Sequence, residues 1–232
     1  LGLQAGDLIL LAARSSMGKT ALVINIAQNV ALKEGLPVVM FSLKLDASQL
    51  TARIVGSFGR IDQTNLRTGK LTDEEWPRLI EAIEALRHIS LHVDDRPELT
   101  LSEMCANVRR LAHQQGKPGL IVVDSLQLMN SSTAPASDNS TNLLNETYRG
   151  LKMLAREMQC PVLLLSRFSQ SVAARVDKRP MMDDLQDMGA IAEDADVIMF
   201  IYRDDYYNKK SKEPAVAEII VSKQRSGPTG TV

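Results

Sequence analysis

Apolar runs of strand length alternate with amphipathic stretches of helix length over most of the chain. Leu8–Ala12 is continuously apolar and predicts a strand. The helical spacing over residues 20–33 predicts a helix, closed by Gly35-Leu36-Pro37. Residues 37–43 read as the next strand and residues 46–58 as helical in period. Thr72-x-x-Glu75 has the form of a capping box and opens a helix reaching about Arg87. Residues 89–93 form a short strand pattern. Thr100-x-x-Glu103 caps a further helix ending near Gly116, and Leu120–Asp124 is an apolar strand. Residues 130–142 break the pattern, and their Ser, Thr, Ala, Pro and Asn content reads as a mobile loop. Residues 143–158 then read as helix and Val162–Ser166 as strand. A polar stretch with Arg175, Lys178 and Arg179 follows, and residues 196–202 and 217–223 close the series as strands. This order predicts one α/β domain over residues 1–232, with a mostly parallel central sheet and helices on both faces. The last strands have little helix between them and are expected to pair antiparallel. No internal repeat is visible.

Composition narrows the setting. A length of 232 residues suits one large α/β domain, and 44% hydrophobic residues is ordinary for a globular chain. No apolar run approaches the ~20 residues of a membrane span, so no membrane role is expected. Leu1-Gly2-Leu3-Gln4 is not basic and lacks a signal-peptide pattern, which makes the expected compartment cytoplasmic. The net charge of −1 excludes a uniformly basic nucleic-acid footprint; any grip on DNA must be local or assembled from several subunits. Cys105 and Cys160 have no C-x-x-C spacing, and each is expected to be a free buried thiol. His88, His92 and His113 are too few and too badly spaced for a zinc site.

The chemistry concentrates in Ala13-Arg14-Ser15-Ser16-Met17-Gly18-Lys19-Thr20, which follows a strand and opens a helix. That is the context a phosphate-binding P-loop requires. Backbone N–H groups of such a loop surround phosphate, and the helix dipole favours negative charge there. Lys19 would reach the β- and γ-phosphates of ATP, and Thr20 would offer its hydroxyl to Mg²⁺. The motif usually begins with Gly, and Ala13 stands there instead. The plain alternative is a strand–turn–helix with an accidental Gly-Lys-Thr. Asp124, at the end of its apolar strand, is the expected second metal residue, because ligands gather beyond the carboxyl ends of parallel strands. On its own, Asp there could simply end the strand.

Several separated segments carry a resemblance. They are A-R-S-S-M-G-K-T at 13–20, V-M-F-S-L at 39–43, R-T-G-K-L-T-D-E-E-W at 67–76 and V-V-D-S-L-Q-L-M at 122–129. D-K-R-P at 177–180, D-A-D-V-I-M-F-I-Y-R-D at 194–204 and K-Q-R-S-G-P at 223–228 complete the set. Together they resemble the RecA-like C-terminal motor domain of the bacterial replicative DNA helicases, the DnaB family. That family tolerates Ala at the first loop position. The resemblance implies a RecA-like P-loop NTPase fold and a ring-shaped homo-hexamer holding ATP and Mg²⁺ between subunits. It also implies translocation on single-stranded DNA, with primase and a helicase loader as partners. Lys223 and Arg225 would reach a neighbour's ATP, where a positive charge entering in trans stabilises phosphoryl transfer. Without the resemblance they read as solvated charges at a strand end. The resemblance also implies an N-terminal domain and linker helix before Leu1 and further strands after Val232. Lack of the linker helix should weaken ring assembly.

The chain departs from the family pattern at informative positions. Where the family carries a Glu that orients or deprotonates the attacking water, this chain has Lys44, and an ammonium accepts no proton at neutral pH. Arg167 replaces a Gln thought to sense the γ-phosphate, and Gln186 replaces an Arg in a loop lining the DNA channel. Gln186, Asp187 and Gly189 are the DNA-contact candidates, together with the 130–142 loop. Ser125 replaces a Tyr and Ser226 an Asn. Asp46 stays open as a substitute base. Three functions follow for comparison: a replicative helicase motor, a hydrolysis-impaired ATP-binding ring subunit, and a RecA-like ATPase of recombination or signalling.

Overall fold

The computed structural model describes residues 2–125, 139–168, 175, 177–185 and 189–232. In chain order the elements are β1 (Leu8–Ala12), α1 (Lys19–Lys33), β2 (Val38–Ser42), α2 (Ala47–Gly59), α3 (Gln63–Thr68) and α4 (Glu75–Arg87). Next come β3 (Leu91–Asp94), α5 (Leu101–Gln115), β4 (Leu120–Asp124), α6 (Asn139–Met158) and β5 (Val162–Ser166). The series ends with α7 (Gly189–Asp194), β6 (Val197–Tyr202), α8 (Asp204–Tyr207), β7 (Glu218–Gln224) and β8 (Gly230–Thr231).

The strands form one sheet in the order β3-β2-β4-β5-β1-β6-β7-β8. Strands β3 to β6 are parallel, and β7 and β8 join antiparallel as expected. The central strands are apolar throughout because both sheet faces are covered. On one face Ile9, Leu11, Met40, Val122 and Leu163 pack against Val23, Ile24 and Ala27 of α1 and Leu50 and Ile54 of α2. On the other, Leu10, Phe41, Ile121, Val123 and Leu164 meet Met104 and Val108 of α5 and Leu151 and Leu154 of α6. Alternate residues of each strand thus feed two separate cores.

The predicted elements form with adjustments, and short α7, α8 and β8 were not foreseen. Short α3 was not foreseen; Asp62 starts it by accepting from the N–H groups of Thr64 at 2.7 Å and Asn65 at 3.4 Å. Helix α6 begins at Asn139, inside the stretch read as a loop; residues 130–138 lie outside the described residues. At Thr72 only the Glu75 limb of the capping box appears, with the Thr72 N–H donating to Glu75 Oε2 at 2.9 Å. The Glu75 N–H donates instead to the Thr72 carbonyl at 2.9 Å, so α4 starts at Glu75. At α5 both limbs close: Glu103 N–H donates to Thr100 Oγ1, and Thr100 N–H to Glu103 Oε2. Helix α4 packs on α2 and leaves Trp76, Ile80 and Ile83 exposed along its outer side. Cys105 and Cys160 are free thiols, and burial pushes Cys160 up to about 12. Among the described residues no helix is long and apolar enough to cross a membrane.

Candidate functional site: a phosphate loop and its surroundings

Residues 13–18 bridge the carboxyl end of β1 and the start of α1. The bridge is tight: Ser16 at φ 66° and Gly18 at φ 95° both take the left-handed region. Gly18 is there because glycine enters that region without a Cβ penalty. It is also the residue before α1, and it offers no side-chain cap. The first N–H groups of the helix are therefore left for a ligand, at the positive end of the dipole. Ala13 and Met17 are buried beneath the loop, which explains why a small apolar residue serves at the first position.

Lys19 folds back over this loop. Its ammonium donates to the carbonyl of Ala13 and, at 3.3 Å, to that of Arg14. Burial lowers it from the ordinary lysine value to about 8; the charges of Arg167 and Lys44 add to the shift, and Asp124 opposes it. The Thr20 hydroxyl donates to Asp124 Oδ2 at 3.0 Å, although the two residues belong to different elements. Asp124 is buried and shares the α1 side of β4 with Leu120 and Val122. A hydroxyl and a carboxylate at that spacing are hard oxygen donors suited to Mg²⁺, which takes one or two protein ligands and completes its shell with phosphate and water. Thr20 and Asp124 are thus the residues that would hold the metal.

Lys44 lies two residues beyond β2, and Arg167 directly follows β5. Both are exposed. These strands flank β4, so both side chains start from the edge of the sheet that carries the phosphate loop. Asp46, the alternative base, instead caps α2: it accepts from the Gln49 N–H at 2.7 Å and the Ser48 hydroxyl at 2.6 Å. Those bonds, Ser48 first, lower its pKa and make it a poorer proton acceptor.

Lys223 and Arg225 are placed elsewhere. Lys223 pairs with Ile198 and Gln224 with Val197, at the start of β6. Phe200, further along β6, is level with Ala12 at the loop end of β1. The two cations therefore sit toward the opposite edge of the sheet from their own phosphate loop. Lys223 Nζ donates to the carbonyls of Ala192 at 2.6 Å and Glu193 at 3.0 Å, and Arg225 to that of Glu193 at 2.9 Å. Arg225 also lies 3.5 Å from Asp196 Oδ1. Gln186 and Asp187 lie outside the described residues; Gly189 begins α7.

Sequence reasoning missed an aromatic wall beside the loop. The Arg14 guanidinium lies 5.7 Å from the ring centre of Tyr206 and 5.8 Å from that of Tyr207, within cation–π range. Tyr207 stacks on Tyr202 at 5.9 Å, and Lys178 and Arg179 cover Tyr207 and Tyr202. The available signal was Asp204-Asp205-Tyr206-Tyr207, a polar–aromatic run directly after an apolar strand.

The whole chain, residues 1–232, matches the family described as DnaB-like helicase C-terminal domain. It is 48% identical over 231 residues to the replicative DNA helicase DnaB of Geobacillus stearothermophilus, covering 100% of this chain and 50% of that protein. It is 47% identical over 231 residues to the replicative DNA helicase DnaC of Bacillus subtilis (strain 168), with the same coverage. The chain thus spans about half the length of these curated relatives. Among solved structures, one described as an ATPase domain superposes with a TM-score of 0.91 at 33% identity, over 99% of this chain and 81% of that one. A DnaB-like replicative helicase, described together with its interactions with primase, gives 0.92 at 33% identity, over 100% of this chain and 55% of that one.

Proposed function

This chain belongs to the DnaB-like helicase C-terminal domain family, and from that premise we propose that it is the ATP-driven motor of a replicative DNA helicase. In this reading ATP sits on the loop at 13–20, with phosphate on the open N–H groups of α1 and Lys19 on the β- and γ-phosphates. Mg²⁺ on Thr20 and Asp124 would neutralise phosphate charge. The observation that carries the reading is the Thr20–Asp124 contact at 3.0 Å, which joins the loop to the end of β4 at the point where a phosphate-bound metal belongs.

The site is incomplete within one copy. Lys223 and Arg225, at the other edge of the sheet, are proposed to serve the ATP of a neighbouring subunit in a homo-hexameric ring. Single-stranded DNA is the proposed track, with Gln186, Asp187 and Gly189 at its contact. Primase is a proposed partner, supported by the structural relative described together with its interactions with primase, and a helicase loader is a second.

A second reading has its own support. Lys44 lies two residues beyond β2, where a water-activating carboxylate is expected, and Asp46 is engaged as a helix cap. A ring subunit that binds ATP and hydrolyses it slowly fits that arrangement. Single-turnover ATP hydrolysis by assembled protein, with and without single-stranded DNA, separates the two. The motor reading expects DNA-stimulated turnover that Lys19→Ala abolishes. Hydrolysis indifferent to both DNA and Lys19→Ala would reject it.

A further inference from the structure

Lys19, Lys44 and Arg167 approach one space from three different elements. Strands β2 and β5 lie on either side of β4 and deliver Lys44 and Arg167; α1, entered from β1, delivers Lys19. Ser42 is level with Asp124, and Ser166 with Ala12, so both outer cations begin just beyond the carboxylate and the phosphate loop. The charges do not balance. Asp124 is the carboxylate of this group, and its Oδ2 already accepts from Thr20. Neither the Lys44 nor the Arg167 side chain makes a hydrogen bond or ion pair among the described residues. Arg96, Arg109, Arg179 and Arg203, by contrast, are each matched by a carboxylate.

We propose that Lys44 and Arg167, with Lys19, form a subsite that holds dianionic orthophosphate beside ADP. This rests on reading the 13–20 loop as the nucleotide site. The orthophosphate dianion carries two negative charges and three strong acceptor oxygens. Arg167 offers a planar fork to two oxygens, and Lys44 adds a mobile point charge. Once separated from ADP, phosphate meets more positive charge than the loop alone provides. Its departure is slowed, and ADP and phosphate strengthen each other's binding.

The test is calorimetric titration of Mg·ADP at constant ionic strength, in millimolar orthophosphate and in matched chloride. The unsubstituted protein should bind ADP at least about fivefold more tightly in phosphate, a coupling within the usual range between linked sites. The Lys44→Gln/Arg167→Gln double variant should lose that ratio, to under about twofold, because the charge-assisted bonds are gone. Each ratio is internal to one protein, so a general change in ADP affinity does not disturb it. ADP binding that ignores phosphate overturns the subsite and leaves the nucleotide site standing. A full phosphate effect in the double variant assigns the anion to other residues and also overturns it. Failure of ADP to bind at all removes the nucleotide reading and the subsite together.

Discussion

At the scale of single residues, the proposed site keeps Lys19, Thr20 and Asp124, groups suited to phosphate and metal, while Lys44 stands where the proposed chemistry calls for a proton acceptor. Lys44→Glu would put a carboxylate just beyond β2. A positioned base contributes about 10²–10⁴ in rate, so turnover by assembled rings should rise at least tenfold. Brisk turnover of the unsubstituted ring, unchanged by Lys44→Glu, would assign the base elsewhere. Lys19 makes a second prediction. Its ammonium titrates near 8, and bound polyphosphate must raise that value by supplying opposite charge. Binding therefore takes up a proton above pH 8 and is disfavoured there, while below it the dependence flattens. Phosphate itself has its second pKa near 6 and is fully ionised in this window, so the slope belongs to the protein. ATP affinity followed from neutrality upward should fall by up to about tenfold per pH unit above 8. Lys19→Arg, which stays charged, should flatten the profile.

At the scale of elements, Asp196 joins three of them. It accepts from the Leu8 N–H of β1 at 2.8 Å and from Lys152 of α6, and it lies beside Arg225 at the end of β7. Burial alone would raise its pKa; the Lys152 bond, the Leu8 N–H and nearby positive charge outweigh burial and hold it below the usual value. A lowered carboxylate contributes stability that is present above its unfolded pKa and is lost as pH falls through the folded one. Asp196→Ala takes the carboxylate from the mostly buried Lys152 ammonium, leaving it the Gly6 carbonyl at 2.8 Å, and leaves the Leu8 N–H unpaired. It should cost about 3 kcal/mol, or roughly 6–12 °C in Tm by thermal unfolding. Lys152→Met should cost less, because Arg225 remains beside the carboxylate. This junction was not legible in the sequence, since Leu8, Lys152 and Asp196 are far apart along the chain. The strands were legible because sheet burial on both faces leaves continuous apolar runs such as Leu8–Ala12 and Leu120–Asp124. Helix α3 was not, because none of its residues is buried and it has no apolar stripe to reveal it. Asn139, Ser140 and Thr141 read as loop because Asn, Ser and Thr favour turns and helix starts alike. The strand–loop–helix at residues 13–20 was legible because its residues are contiguous; the Tyr206–Tyr207 wall beside Arg14 was not.

At the scale of the whole molecule, the sheet separates two halves of the proposed chemistry. The phosphate loop lies at the carboxyl edge of the parallel strands, and Lys223 and Arg225 lie toward the other. A ring in which each copy presents one edge to the next would pair the halves. Mixing Arg225→Ala subunits into unsubstituted protein should then reduce hydrolysis more steeply than dilution. A strictly proportional loss would mean that each copy works alone. The two cations also cap the last carbonyls of α7, so reaching a neighbour requires them to leave that helix end.

The exposed outer side of α4 has an optical consequence. Trp76 is the chain's single tryptophan, half exposed beside Ile80 and Ile83, on a helix that packs on α2. All indole emission therefore arises from one solvated ring. Nucleotide arriving at the loop should leave its wavelength unchanged, whereas any surface laid over α4 should shift it to the blue. Fluorescence then distinguishes subunit contact at this face from ligand binding without a label.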